Sequence, residues 1–348
     1  MRRLIVSFFC FMLLFFTNFV SAKIVFKSIR GDVKGIFVMD DDGSNVKLLT
    51  DELKPCAASW APNGKQIVFE RWINPVDSKS QHLFLMNADG TNIRQLTEPH
   101  DGSDKHPSFS PDGKSILFTR FEITNNSRPV LSKSLWEIGN HSICVMDIET
   151  GKIKKIANLG ANNPVWSPNG RQIVFSNRAV VGKSGSNIWM MDADGNNPRE
   201  LFPLPSNGQS NINRVYPRWS PNGRQILYLQ LENKFAKIKG VGHFVPHAYR
   251  YFIYDLNKKQ VHQLEIPKNW RPAGIDWMDN GKSVIFSAVK IKLGKPFGRT
   301  QHRYNIYKYH IATGKLTRLT KHSGQDYSLN WISDHASKMS FSSSQHNE

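Results

Sequence analysis

Hydrophobic residues in this chain come in short runs that are apolar at every position rather than at every second one. Ile67-Val-Phe69, Ile116-Leu-Phe118, Ile173-Val-Phe175, Ile226-Leu-Tyr228 and Val284-Ile-Phe286 are such runs. They fit strands of small sheets covered on both faces. Each follows an aromatic anchor and a polar turn. Trp60-Ala-Pro-Asn-Gly-Lys-Gln-Ile-Val-Phe69 returns as Phe109-Ser-Pro-Asp-Gly-Lys-Ser-Ile-Leu-Phe118, Trp166-Ser-Pro-Asn-Gly-Arg-Gln-Ile-Val-Phe175 and Trp219-Ser-Pro-Asn-Gly-Arg-Gln-Ile-Leu-Tyr228. Weaker copies begin at Trp277 and Trp331. Proline presets φ for the turn and glycine supplies positive φ, so the chain reverses tightly. The anchors lie 49 to 58 residues apart. That period marks one supersecondary unit used many times.

Each unit continues in the same way. A third apolar run follows at 35–39, 83–86, 143–146, 188–191, 252–254 and 306–309. Polar hairpin turns come next, such as Asp41-Asp-Gly43, Ala88-Asp-Gly90 and Glu149-Thr-Gly151. A fourth short strand closes the unit, at 47–50, 94–97, 154–156, 199–201, 261–264 and 316–320. Four antiparallel strands repeated radially make a β-propeller blade. The pattern therefore predicts an all-β, six-bladed propeller over residues 23–348. The chain enters a blade at Lys23-Ile-Val-Phe26 and its last anchored strand is Ser328–Trp331. The N- and C-terminal strands are expected to share a blade and close the ring. Ile24–Phe26 and Met339–Phe341 compete for one strand position there.

The first 22 residues stand outside this pattern. Arg2 and Arg3 precede an almost wholly apolar stretch from Leu4 to Val20, and Val20-Ser21-Ala22 is a small-residue cleavage site. Residues 1–22 read as a secretory signal peptide. The alternative is an uncleaved anchor, although about 17 apolar residues is the lower limit for a span. Cys10 is not a lipoprotein signal, because Lys23 follows the cut. After cleavage no membrane span is expected, and the product is expected to be a periplasmic or secreted monomer.

Charge adds a partner class. The net charge of +18 becomes +16 once the two leader arginines are removed. Such a surface attracts anionic partners: acidic polysaccharide, lipid head groups or an acidic protein face. Export argues against nucleic acid. Cys56 and Cys144 sit in different repeats, which favours two thiols over a disulfide, though an oxidising compartment leaves the pairing open.

The Trp-Ser-Pro-Asn/Asp-Gly-Lys/Arg repeat, with its Met-Asp-Ala-Asp-Gly turns, resembles the WD-like repeat of the periplasmic TolB propeller family over essentially the whole mature chain. The same repeat occurs in propellers of dipeptidyl-peptidase-like enzymes and oligogalacturonate lyases. Two departures are expected to matter. The TolB N-terminal domain has no counterpart before the first repeat, so contact with TolA is not carried over. No α/β-hydrolase domain follows the last repeat before Glu348. The resemblance implies a non-enzymatic scaffold that binds an envelope protein such as the lipoprotein Pal. The alternative is recognition or metal-dependent cleavage of an acidic polysaccharide.

Variable loops on a rigid scaffold are where function concentrates. In this repeat the long connections are those after strands two and four. Glu122–His141 is one. Glu232–Arg250 carries Lys234, Lys237, Lys239, His243, His247 and Arg250, and Lys290–Tyr304 carries Lys290, Lys292, Lys295, Arg299, His302 and Arg303. The last two connections belong to adjacent units. Phe235, Phe244, Tyr249, Phe297 and Tyr304 are interleaved with the charges. Cations beside aromatic rings suit acidic, partly apolar partners or sugars. These basic residues, His302 excepted, are the candidate partner-binding set.

His100, His106, His141, His243, His302 and His322 are predicted for the same face, but no paired spacing of a metal site appears, so no metal and no cofactor are expected. The Asp40–Asn45 and Asp192–Asn197 turns lack the glutamate of a calcium loop. No Gly-x-Ser-x-Gly elbow is present, so no catalytic residue is assigned.

Overall fold

A computed structural model describes residues 23–51, 55–73, 81–98, 102–122, 140–178, 186–202, 212–238, 241–291, 303–322 and 324–332. The leader and the strand candidate Met339–Phe341 lie outside the described residues. Six four-stranded antiparallel sheets form the blades of a propeller. In blade 2, β4 (Pro55–Trp60), β5 (Gln66–Trp72), β6 (Gln81–Asn87) and β7 (Arg94–Gln95) follow in order. Blade 3 contains β8 (Gly102–Phe109), β9 (Ser115–Glu122), β10 (Asn140–Asp147) and β11 (Ile153–Asn158). Blade 4 contains β12 (Ala161–Trp166), β13 (Gln172–Arg178), β14 (Ser186–Asp192) and β15 (Arg199–Glu200). Blade 5 contains β16 (Ile212–Trp219), β17 (Gln225–Ile238), β18 (Val241–Asp255) and β19 (Gln260–Gln263). Blade 6 contains β20 (Trp270–Met278), β21 (Ser283–Lys290), β22 (Asn305–His310) and β23 (Leu316–Arg318).

Blade 1 draws on both ends of the described chain. β24 (Gln325–Ile332) is its inner strand, followed by β1 (Lys23–Arg30), β2 (Val33–Asp40) and β3 (Lys47–Thr50). β24 pairs antiparallel with β1, Ile24 opposite Trp331 and Phe26 opposite Leu329. It also packs against β4 on one side and β20 on the other.

The second strand of each blade is the most deeply covered. Phe26, Phe69, Phe118, Phe175 and Phe286 are fully buried and Tyr228 is 2% exposed. Each sits between its own sheet and a neighbour, which is why these runs are apolar on both faces. The core is a ring of inter-blade clusters: Val25, Ile36 and Val38 of blade 1 pack on Trp60, Ile67 and Phe69 of blade 2. Burying one such ring stabilises the fold by roughly 2–3 kcal/mol. Fourth strands lie on the outside and are polar; β7, β15 and β23 are exposed throughout. No helix among the described residues is long and apolar enough to cross a membrane.

One element differs from the expectation. Glu232–Arg250, read as a loop, is the extension of β17 and β18 into a hairpin, with Asn233 opposite Pro246, Lys234 opposite Val245 and Lys237 opposite Gly242. Lysines at 234, 237 and 239 break the continuous apolar run that marks the blade strands, so the extension reads as a connection.

Candidate functional site

The inner strands β4, β8, β12, β16, β20 and β24 line a central channel, and each slips register just before its aromatic anchor. The position three residues ahead of the anchor is Ala57, His106, Asn163, Tyr216, Gly274 and Ser328 in turn, and all six line one cavity of about 310 Å³. In blades 3, 4 and 5 proline follows, at Pro107, Pro164 and Pro217. Proline has no N–H for a ladder and is confined to bulges within sheets. His106, Asn163, Tyr216 and Ser328 have φ of 55°, 54°, 56° and 40°. Left-handed backbone costs a non-glycine residue about 1–2 kcal/mol. Strain of this kind gathers at functional positions.

Buried charge is distributed along the channel. Towards the tight Pro-Asn/Asp-Gly turns, Asp276 accepts the Trp277 N–H at 2.8 Å, the Asn330 amide at 2.7 Å and the Trp331 N–H at 3.3 Å. Burial raises its pKa, with Arg218 pulling the other way. Further along, Glu70 accepts the His106 N–H at 2.7 Å. Burial lifts its carboxyl to about 7 despite that bond and the charges of Lys105 and Lys27. Burial, followed by Lys105, Arg218 and His141, lowers His106 to about 3, so its ring is neutral at physiological pH. Cys56 and Cys144 do not form a disulfide with each other. The Cys56 sulfur lies 3.1 Å from the Gln81 amide and 3.9 Å from Lys27 Nζ.

Several cations lie against aromatic rings. Lys27 lies over the Tyr327 ring at 5.8 Å, and Lys290 over Trp270 at 5.3 Å. Tyr304 and Tyr327 pack with centroids 4.9 Å apart. The phenols of Tyr216, Tyr249, Tyr304 and Tyr327 all feel the charge of Arg271. Burial nevertheless pushes Tyr249 and Tyr327 up to about 12. Beside the channel a second cavity of about 440 Å³ opens among blades 3 to 6, lined by His106, His141, Asn162, Asn213, Tyr216 and Arg271 among others.

The basic residues picked from sequence are placed unevenly. Lys290 and Arg303 are exposed. Arg250 pairs with Glu232 at 2.8 Å, both partly exposed. His247 is half-buried on β18. Lys234, Lys237 and His243 belong to the hairpin strands. Lys239, Lys292, Lys295 and Arg299 lie outside the described residues, as do His100 and His302. His106 and His141 sit on β8 and β10 rather than on loops, and they line the second cavity together. His322 lies elsewhere, 2.9 Å from Asp326. Among the described residues no three of His, Cys, Asp and Glu gather as metal ligands. Sequence reasoning missed Arg218, Arg271, Asp276 and the tyrosines Tyr216 and Tyr327. The available signal was the residue just ahead of each anchor, which changes from Ser59 and Ser108 to Val165, Arg218, Asp276 and Asn330 while the turn after it repeats.

No family model matches the chain. It is 24% identical over 335 residues to dipeptidyl-peptidase 5 of Porphyromonas gingivalis, covering 84% of this chain and 45% of that protein. It is 38% identical over 74 residues to the Tol-Pal system protein TolB of Zymomonas mobilis, 21% of this chain and 15% of that one. The chain spans less than half the length of these curated relatives. The structure of TolB from Acinetobacter baumannii aligns with TM-score 0.64 at 18% identity, over 90% of this chain and 67% of that one. The fold is that of a TolB-like propeller.

Proposed function

We propose that the chain is an exported propeller that acts by binding, as a scaffold for an acidic protein of the bacterial cell envelope. The observation that carries this reading is the pairing of cations with aromatic rings, Lys27 over Tyr327 and Lys290 over Trp270, with Arg271 acting on Tyr216, Tyr249, Tyr304 and Tyr327. Arginine, tyrosine and tryptophan are the residues enriched where protein surfaces meet. The β17–β18 hairpin carries Lys234, Lys237, His243, His247 and Arg250 along its strands, with Lys239 between them in the sequence. Lys292, Lys295, Arg299 and Arg303 extend the set along the connection from blade 6. The likeness to TolB supports a scaffold of that kind, with a Pal-like lipoprotein as the partner to test first and the periplasm, or release from it, as its place. The likeness to dipeptidyl-peptidase 5 covers less than half of that protein and brings no reaction with it.

The test is capture of a purified Pal-like lipoprotein, and of proteins from envelope extract, by the full chain at low and at moderate salt. Changing Lys237, Lys239, Lys292 and Lys295 together to Glu is expected to weaken capture at least about tenfold and to leave the melting temperature in place. Capture that persists unchanged removes the basic side from the proposal. Capture that vanishes at moderate salt in the unaltered chain means that charge alone holds the partner.

A further inference from the structure

Two charged groups of the central channel are left with open hydrogen-bonding capacity, and both line the cavity of about 310 Å³. Glu70 on β5 is 4% exposed. One of its oxygens accepts the His106 N–H at 2.7 Å, and the other meets no partner among the described residues. Arg218 on β16 is half-buried. Its guanidinium donates from Nη1 to the Pro217 carbonyl at 2.9 Å and forms no ion pair among the described residues. Blades 2 and 5, which carry the two groups, stand opposite each other in the ring of six. Asp276, the other carboxylate of the lining, is already taken up by three donors, the Trp277 and Trp331 N–H groups and the Asn330 amide. Ala57, Pro107, Pro164, Val165 and Leu329 supply apolar wall in the same cavity.

We propose that this cavity binds a short aliphatic dicarboxylate, one end on the Arg218 guanidinium and the other on the Glu70 carboxyl. A guanidinium with open N–H groups is the preferred bidentate partner of a carboxylate. At the other end two carboxyl groups share one proton, the neutral one donating to the ionised one. Glu70 suits the neutral role, because burial lifts it to about 7 against its bond to the His106 N–H and the charges of Lys105 and Lys27. Around it stand Cys56 on β4, Lys27 on β1, and Lys105 and His106 on β8, while Leu83 lies opposite on β6. Two lysines already act on this carboxyl, which argues against an amine as the group it receives. His106, held at about 3, stays neutral across the pH range concerned. The apolar wall matches methylene groups better than the hydroxyls of a sugar or the amides of a peptide, each of which needs a partner when buried. The volume lies at the low end of the roughly 300–1,000 Å³ usual for small-ligand sites. This binding is separate from that of an envelope protein, since the capture variants change none of the channel residues.

The experiment is calorimetric titration of the full chain with succinate, glutarate, adipate, acetate, γ-aminobutyrate and galacturonic acid at pH 6 and pH 8. One of the diacids is expected to saturate a single site at pH 6, with acetate at least about tenfold weaker. Its affinity is expected to fall about tenfold by pH 8, as the protonated share of Glu70 drops from about nine-tenths to about one-tenth. Glu70→Gln keeps an acceptor for the His106 N–H and adds a donor that does not titrate. It is expected to bind the diacid at pH 8 as the unaltered chain binds it at pH 6. Arg218→Gln is expected to weaken the diacid at least about tenfold at both pH values. The absence of saturable heat with every diacid overturns the proposal. So does acetate or galacturonic acid binding as tightly as the best diacid, and so does tighter binding of γ-aminobutyrate, which would make Glu70 the receptor of a cation. An affinity that falls with pH as steeply in Glu70→Gln as in the unaltered chain overturns it as well.

Discussion

His106 concentrates three constraints in one residue: a left-handed backbone, an N–H given to Glu70 and a ring kept neutral. Its pKa falls from 6.5 to about 3, through burial first and then Lys105, Arg218 and His141. Between those values the unfolded chain holds a proton that the native ring refuses. Stability therefore falls as pH drops through 6.5 towards 3. Glu70 has the opposite sign: burial raises it from 4.5 to about 7, so the native state holds the extra proton and stability falls as pH rises across that window. His106→Asn removes only the first ramp and keeps a residue type that tolerates positive φ, as Asn163 does one blade on. Thermal melts at pH 7 and pH 5 are expected to show the variant gaining about 1–2 kcal/mol on wild type at the lower pH. Parallel pH profiles would mean that the imidazole titrates as in water. Neither Glu70 nor Asp276 was legible as a site residue in the sequence. Each follows or precedes an apolar stretch by one place, where a polar side chain reads as an exposed strand end, and only the ring of blades turns that end into the channel wall.

Among the strand connections, the turns after the third strands divide by sequence. Asp-Gly turns at Gly43, Gly90 and Gly195 donate the glycine N–H back three residues, to Asp40, Asn87 and Asp192. Thr-Gly turns at Gly151 and Gly314 reach back four, to Asp147 and His310. The consequence lies between blades. A Cβ on Gly90 would stand 2.6 Å from the Leu49 carbonyl oxygen of the preceding blade, and one on Gly43 2.6 Å from that of Leu319. A Cβ on Gly151 would meet nothing within 4 Å. Gly90→Ala is therefore expected to cost about 3 kcal/mol, from left-handed strain plus a backbone clash, and Gly151→Ala only about 1. Denaturant melts measure the gap; equal losses would mean that the turn relaxes away from its neighbour. The turns themselves were plain in the sequence, because glycine and proline carry local chemistry. The approach of one blade's turn to the outer edge of the preceding blade was not, because nothing local records it. The β17–β18 hairpin was concealed for a different reason: its lysines interrupt the continuous apolar run by which the blade strands are recognised.

For the molecule as a whole, six units were countable from the recurring anchor, since each blade solves the same packing problem with the same residues. What joins the blades beside the seam between the two ends of the chain is less repetitive and includes one bridging amide. Asn330 accepts the Trp60 N–H at 2.8 Å and donates to Asp276 at 2.7 Å. It thus ties blade 1 to blade 2 on one side and to blade 6 on the other, at the sheet where β24 meets β1. Removing it leaves the shielded Trp60 N–H without its acceptor and the Asp276 carboxylate with only the longer Trp331 N–H on that oxygen, and Asp276 is already raised in pKa by burial. Asn330→Ala is expected to destabilise the protein by about 2–4 kcal/mol. If the seam couples the ring, calorimetry will show one transition displaced to lower temperature, because blades that share side-chain bridges and inter-blade cores unfold together. A transition that splits in two would show blade 1 detaching ahead of the others. An unmoved transition would show that the seam is held by strand pairing and apolar packing alone, with the Asn330 bridge contributing nothing to closure.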